Sequence, residues 1–404
     1  MSDLTLQQDL QGLKSLKNER NAAIDAASTR PLPKTFPVNE LASKLHPESQ
    51  FLKIKQVIEH SADERSFVLE PDTEKGTQHL AYFRAGQYIS FRLKIGNSYV
   101  TRPYAIRSAP ADALKDQYII TIKRVKNGFV TSFIFANWDV GTPIEASAPA
   151  GNLYFEPLRD QKNIVGLAGG SGITPFYSLA SAIADGTEHV KLTILYGSRQ
   201  HDHILLAPEF SKILSKTNDV KLINVLSDDD IDGFEHGFIT AELIQKYAPK
   251  TPYSIFICGP EAMYEFMDKE VKKLNLPAGR IRHELSGNYG SPYHETDYPA
   301  DSRDKVYQLT VKTRDHEQII SAQSNESILV AMERAGITAP SLCRSGECGV
   351  CRSRLISGKV FSPEIIDGRR VADSEYGYIH TCASFPISDV SIEVPVHDLA
   401  DQFG

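Results

Sequence analysis

Four of the five cysteines in this chain of 404 residues fall near its C-terminal end, and their spacing constrains the fold more than any other feature. Three stand in the run Cys343-Arg344-Ser345-Gly346-Glu347-Cys348-Gly349-Val350-Cys351, and Cys382 follows them. C-x4-C-x2-C with a distant fourth cysteine is the spacing of a [2Fe–2S] cluster. Four thiolates must converge on two irons, so the loop carrying three of them must curl tightly. Gly346 and Gly349 permit the curl and let backbone N–H groups approach the cluster sulfurs. Zinc also accepts four thiolates, but its sites usually pair two C-x2-C knuckles, and Cys382 has no such partner. The reading is a [2Fe–2S] site held by Cys343, Cys348, Cys351 and Cys382. Five cysteines are too few to staple a chain of this length by disulfides.

Hydrophobic residues make up 41% and charged residues 24%, ordinary globular usage. With 44 basic and 51 acidic residues the formal charge is −7, and no clustered basic face marks a nucleic-acid binder. The N-terminus lacks the basic-then-apolar pattern of a secretory signal. Residues 163–184 carry no charge, but their glycines and Pro175 read as strand, loop and helix rather than a membrane span. The expectation is a cytoplasmic protein with no integral membrane segment.

Residues 1–50 are read as an N-terminal helical extension. Leu6, Leu10, Leu13 and Leu16 recur at helical spacing behind Asp3 as a candidate N-cap, and 22–27 continue the pattern. Pro31, Pro33 and Pro37 are expected to end it. The segment either packs on a neighbouring domain or docks a partner. Residues 51–158 show short strand-like runs broken by turn residues, at 51–58, 66–69, 86–93 and 118–122, which predict an antiparallel β-barrel. In 159–286, apolar runs at 164–167, 192–196, 222–226 and 254–258 alternate with helix candidates at 174–184 and 261–274. That is an α/β doubly wound, nucleotide-binding layout. Residues 287–304 read as a linker, and 305–404 as a last α+β unit holding the cysteine cluster.

Several short runs carry further chemistry. Arg102-Pro103-Tyr104-Ala105-Ile106-Arg107-Ser108 lies between predicted strands, and Gly128-Phe129-Val130-Thr131-Ser132 follows it. Gly169-Gly170-Ser171-Gly172-Ile173-Thr174-Pro175 joins a strand to a helix. There glycines let the backbone approach a pyrophosphate, and the helix start favours its charge. Tyr196-Gly197-Ser198-Arg199 and Cys258-Gly259-Pro260 close later strands, and Ile281-Arg282-His283-Glu284-Leu285-Ser286 comes last. These motifs resemble those of the ferredoxin–NADP reductase superfamily. The C-terminal unit resembles a plant-type ferredoxin, a β-grasp fold. The order flavin, nicotinamide, ferredoxin is that of the phthalate dioxygenase reductase type and of reductases of several multicomponent oxygenases. The resemblance covers 51–404.

The resemblance implies site roles residue by residue. Arg102 would meet a flavin phosphate and Tyr104 would lie against the isoalloxazine, with Ala105 and Ile106 beside it. Ala105 replaces the family's hydroxyl residue near flavin N5, leaving only a backbone N–H there. Gly128, Val130, Thr131 and Ser132 would hold the flavin phosphate or pyrophosphate, with charge added by Lys123 or Arg124. Gly170, Gly172, Ile173, Thr174 and Pro175 would bind the nicotinamide dinucleotide, and Ser198 and Arg199 its adenosine end. Cys258, Gly259 and Pro260 would stand beside the nicotinamide. Tyr104, Cys258 and Glu284 are the residues implied at the catalytic centre. Glu284 matches the family's I-x-x-E-x-F ending, whereas Ser286 stands where an aromatic is common. Asp228, in Ser227-Asp228-Asp229-Asp230, would repel a 2′-phosphate and favour NADH, while Arg199 argues for NADPH.

The implied activity runs from NADH to the flavin, which is FAD with FMN as the alternative, and then in single electrons through the [2Fe–2S] cluster. The cofactors carry this chemistry, so no acid–base dyad is required. No C-x-H pair marks a fused Rieske centre, and no E-x-x-H helix marks a di-iron oxygenase. A separate electron-acceptor protein is therefore expected: an oxygenase component, or an anaerobic metalloenzyme or corrinoid protein. The alternative is a redox-sensing module read by a partner through residues 1–50.

Overall fold

The computed structural model describes residues 3–29, 35–284 and 287–395. They divide into two compact units between Lys44 and Leu45. The N-terminal unit contains α1 (Asp3–Asp25) and all but the last residue of α2 (Pro37–Leu45). Pro31 and Pro33 lie outside the described residues. Pro37 corrects the expectation: it opens a helix instead of ending one. At the first helical position its missing N–H costs nothing and its fixed φ suits the turn.

In the second unit the first sheet contains β1 (Gln50–Glu59), β2 (Glu64–Pro71), β3 (Tyr88–Ile95), β4 (Ser98–Ala105), β5 (Tyr118–Lys123) and β6 (Pro143–Ala146). All neighbours are antiparallel in the order β4-β3-β6-β1-β2-β5. A bridge from Ile106 to Ile120 joins the two edges and closes the barrel. Leu52, Phe67, Ile89, Phe91 and Trp138 fill it. Arg102 and Tyr104 lie within β4, not between strands as the sequence implies. Pro103 obscures that strand, and it is tolerated because β4 has a full ladder on one side only. Two helices, α3 (Pro110–Ala113) and α4 (Phe129–Asn137), follow in the connections around β5.

The second sheet contains β7 (Asn163–Gly169), β8 (Lys191–Ser198), β9 (Val220–Leu226), β10 (Glu235–His236), β11 (Ser254–Cys258) and β12 (Ile281–His283), all parallel, in the order β10-β9-β8-β7-β11-β12. Connecting helices α5 (Thr174–Ala184), α6 (Ala207–Leu214), α7 (Ala241–Tyr247) and α8 (Glu261–Lys272) supply its cover. The strands are nearly continuous apolar runs because both faces are buried.

The third sheet is mixed, in the order β14-β13-β19-β15-β17. Its strands are β13 (Val306–Thr313), β14 (His316–Gln323), β15 (Arg352–Ser357), β17 (Tyr378–His380) and β19 (Val390–Glu393), and β16 (Val360–Phe361) pairs with β18 (Phe385–Pro386) alongside. Helix α9 (Ile328–Arg334) puts Ile328, Leu329 and Met332 into the core, and α10 (Val371–Glu375) lies before β17. Residues 287–304 are not featureless: they form two 3-10 turns. Pro292 and Tyr298 are buried there, and Tyr298 packs edge-on to Phe361 at 5.1 Å. No helix among the described residues is long and apolar enough to cross a membrane.

Candidate functional site

Topology places the first part of the site. After β10 the chain crosses back to lay β11 on the far side of β7, so their carboxyl ends flank a switch point, where α/β sheets bind ligands. The turns leaving these two strands touch. A Cβ on Gly172 would lie 2.1 Å from the Cys258 carbonyl oxygen, and one on Gly259 would lie 2.5 Å from Met263 Sδ. Ile173, Thr174 and Pro175 then lead into α5, and the Thr174 hydroxyl donates to Ser171 O (2.9 Å). A cavity of about 570 Å³ opens between Gly170, Ser198, Arg199, Pro260 and Phe266, a volume suited to a nucleotide. Ser227 lines it, and Asp228 stands next, accepting from the Ser227 hydroxyl (2.6 Å). Lys123 reaches the same cavity, its ammonium paired with Glu64 (2.9 Å). Burial pushes the Cys258 thiol up, which makes it an apolar wall rather than a nucleophile.

Strand β4 puts Arg102 and Tyr104, two residues apart, on one face. Arg102 donates Nη1 to Thr101 O (2.7 Å) and has no ion pair among the described residues. Burial, followed by repulsion from Arg344, brings its pKa down to about 10. A largely buried guanidinium with donors to spare fits a phosphate. Tyr104 leans on Phe91 at 5.7 Å, and burial raises its phenol to about 12, leaving a neutral aromatic platform. Ala105 ends the strand, and the buried Ile106 spends its N–H on Gln87 O (2.9 Å). Gly128 caps α4, where a Cβ would meet Thr131 Oγ1 at 2.6 Å. That hydroxyl accepts from Val125 N (3.1 Å), Val130 is buried, and Ser132 N donates to Gly128 O (3.0 Å). The first N–H groups of α4 have no partner within the helix, which suits an anion.

The cysteine loop curls as its glycines allow. Gly346 has φ +80°, and a Cβ there would strike Ile366 O at 1.8 Å; Gly349 has φ +73°. Arg344 is also left-handed, at φ +63°, a conformation costing about 1–2 kcal/mol outside glycine. A buried pairing of both its Nη atoms with Glu333, plus Nε to Asn288 Oδ1 (2.6 Å), holds it there. The thiols converge. Cys351 and Cys382 Sγ lie 3.3 Å apart, Cys382 Sγ accepts from Gly346 N (3.3 Å), and Cys343 Sγ accepts from Ser345 N (3.5 Å) and Cys348 N (3.4 Å). Hydrogen bonds from the Cys348 and Cys382 thiols favour a Cys343 thiolate. Ser345 Oγ is buried without a partner among the described residues, a loss of about 1–3 kcal/mol that a cluster sulfide would relieve. The donor set and this orphan hydroxyl fit a [2Fe–2S] cluster. Cys343, Cys351 and Cys382 are buried, while Cys348 is exposed, so one edge is open.

The three parts meet at one junction. Glu284 N donates to Ile257 O (2.9 Å), and its carboxyl is buried beneath Gly151, where a Cβ would lie 3.2 Å from Oε1 and 2.8 Å from the Tyr88 ring. Burial, then the neighbouring Glu347 and Cys343, raises this carboxyl well above the usual range. Burial and Cys343 also raise Tyr88. Asn152 Nδ2 donates to Glu347 Oε1 (3.0 Å), beside Cys348. Tyr88, Gly151 and Asn152 carry no motif, and Glu347 is a spacer within the cysteine run; only long-range contact reveals their roles. Leu285 and Ser286 lie outside the described residues.

Comparison with known proteins agrees with this geometry. Residues 51–155 match the family described as an oxidoreductase FAD-binding domain, 167–269 an oxidoreductase NAD-binding domain, and 311–386 a 2Fe-2S iron-sulfur cluster binding domain. A glycine betaine monooxygenase reductase subunit of Chromohalobacter salexigens is 28% identical over 84% of this chain and 93% of that protein. A 3-ketosteroid-9-alpha-monooxygenase ferredoxin reductase component of Mycobacterium tuberculosis is 29% identical over 85% and 94%. The solved structure of phthalate dioxygenase reductase, described as a modular structure for electron transfer from pyridine nucleotides to [2Fe–2S], superposes with a TM-score of 0.61. It covers 90% of this chain and all of its own, at 22% identity.

Proposed function

We propose that the chain is a reductase of the ferredoxin–NADP reductase superfamily in its oxygenase-reductase arrangement, and that it moves electrons from NADH to a separate oxygenase component. The observation that carries this is the junction where β3, the end of β12 and the cluster loop meet, with Gly151 packed on both Tyr88 and Glu284 and its neighbour Asn152 bonded to Glu347. When bound, FAD takes a hydride from NADH and the [2Fe–2S] cluster passes electrons on singly. The chain's own part is to hold, orient and shield. Gly170, Gly172 and the start of α5 take the dinucleotide pyrophosphate, and Cys258, Gly259 and Pro260 form the wall beside the nicotinamide. Arg102, with the start of α4, takes the flavin's phosphates, while Tyr104 supports its ring. Glu284, whose carboxyl burial holds well above the usual range, stands close to where the hydride donor and flavin would meet. Cys348 and the exposed Val350 present the cluster's open edge to the acceptor.

Cys382→Ser tests this order. It should abolish cytochrome c reduction by NADH and largely spare NADH–ferricyanide activity, which the flavin can support. Equal survival of both activities in a cluster-free variant would overturn it.

A further inference from the structure

The ferredoxin part is bonded to the flavin barrel at the residues that lead into the first cluster ligand. Ser90 Oγ, in β3, donates to Leu342 O (2.8 Å), and Thr101 Oγ1, in β4, shares a hydrogen bond with Ser341 Oγ (2.6 Å). Ser90 is 1% exposed and Thr101 8%, while Ser341 and Leu342 are half-buried, so each bond has its barrel end in the interior. A third bond, Asn152 to Glu347 (3.0 Å), ties the loop between the first two cysteine ligands to the barrel. Thr101 directly precedes Arg102, and Leu342 directly precedes Cys343. The barrel strand that would carry the flavin is therefore linked, side chain to side chain, with the segment entering the cluster loop.

We propose that Ser90, Thr101 and Ser341 are positioning residues that hold the cluster at a fixed, short distance from the flavin, so that the internal electron transfer needs no swing of the ferredoxin domain. The inference rests on the electron order proposed above. Its physical basis is that buried polar groups lose most when a partner is removed, so the docked arrangement is favoured over a loosened one. Transfer between fixed sites is then set by geometry, and small displacements cost large factors in rate. Docking also leaves both ends of the path usable at once. Cys343 is buried on the barrel side, while Cys348 stays exposed for the acceptor.

The test is rapid mixing of the holoprotein with NADH, following flavin and cluster absorbance separately. In the wild type, the flavin-to-cluster step should be unchanged as glycerol raises the viscosity. Thr101→Val and Ser90→Ala should slow that step by on the order of tenfold while leaving flavin reduction unchanged, and Thr101→Ser should restore it. The EPR spectrum of the reduced cluster should be the same in all four proteins, which separates displacement from damage to the cluster. A step that slows in proportion to viscosity would overturn the fixed docking, and so would variants with unaltered cluster reduction. Should the valine and alanine variants fail to fold, the viscosity result on the wild type decides alone. A wild type whose reduced flavin leaves the cluster oxidised would overturn the electron order itself, and the seam with it.

Discussion

Two glycine-bearing loops, 169–174 and 343–351, both hold left-handed glycines, Gly170 at φ +52° in the first and Gly346 and Gly349 in the second, but they meet their ligands differently. In the first, Gly172 is required by closeness: its Cβ would enter the Cys258 carbonyl, although its own backbone is ordinary. In the second, Gly349 is required by conformation, at φ +73°, and Gly346 by both, at φ +80° with its Cβ 1.8 Å from Ile366 O. The first loop borders a cavity of about 570 Å³, through which a nucleotide can come and go. The second surrounds its ligand with buried thiols and leaves Ser345 Oγ waiting for an acceptor. The lesson is that an exchangeable cofactor is met by bare backbone at a surface, and a permanent one by a closed curl.

Gly346→Ala should break the second loop outright, because left-handed strain of about 1–3 kcal/mol adds to a collision with Ile366 O. Iron and sulfide content should fall to near zero while flavin content stays normal. Gly172→Ala should break only the first. Its cluster content should be unchanged, and NADH should reduce the flavin on the order of a hundredfold more slowly in rapid mixing. Asp228→Ser should leave both loops intact and shift the ratio of kcat/KM for NADPH over NADH by roughly tenfold, about 1.4 kcal/mol.

The smallest effect concerns the carboxyl between the loops. Glu284 holds its proton in the fold to a higher pH than in the unfolded chain. Above the ordinary carboxylate value the native state therefore binds more protons, and stability falls as pH rises towards the raised value. In Glu284→Gln that fall should be shallower, read as Tm from about pH 5 to about pH 8 on the holoprotein.

Both loops were legible in the sequence because each is local: a strand end, glycines, and a helix or cysteines at fixed spacing. The apolar runs of β7, β8, β9 and β11 were equally plain, since strands buried on both faces have no alternation to hide. What stayed hidden depends on partners far along the chain. β4 was masked by Pro103, whose lack of an N–H matters only in a ladder it does not complete. Tyr88 reads as one more strand residue until Gly151 and Glu284 close over it. Asn152 and Glu347 are 195 positions apart, and no spacing rule connects them. The tyrosines of 287–304 read as loop composition, yet Tyr293 Oη bonds Ser324 Oγ (2.6 Å) and Tyr298 is buried.

The central claim is that NADH electrons reach the cluster through the flavin. Anaerobic addition of NADH to the holoprotein, frozen and read by EPR beside its optical spectrum, tests it most directly. The account predicts a bleached flavin with a reduced [2Fe–2S] signal in the wild type, and a bleached flavin without that signal in Cys382→Ser. A wild-type cluster that stays oxidised beside a fully bleached flavin would contradict it.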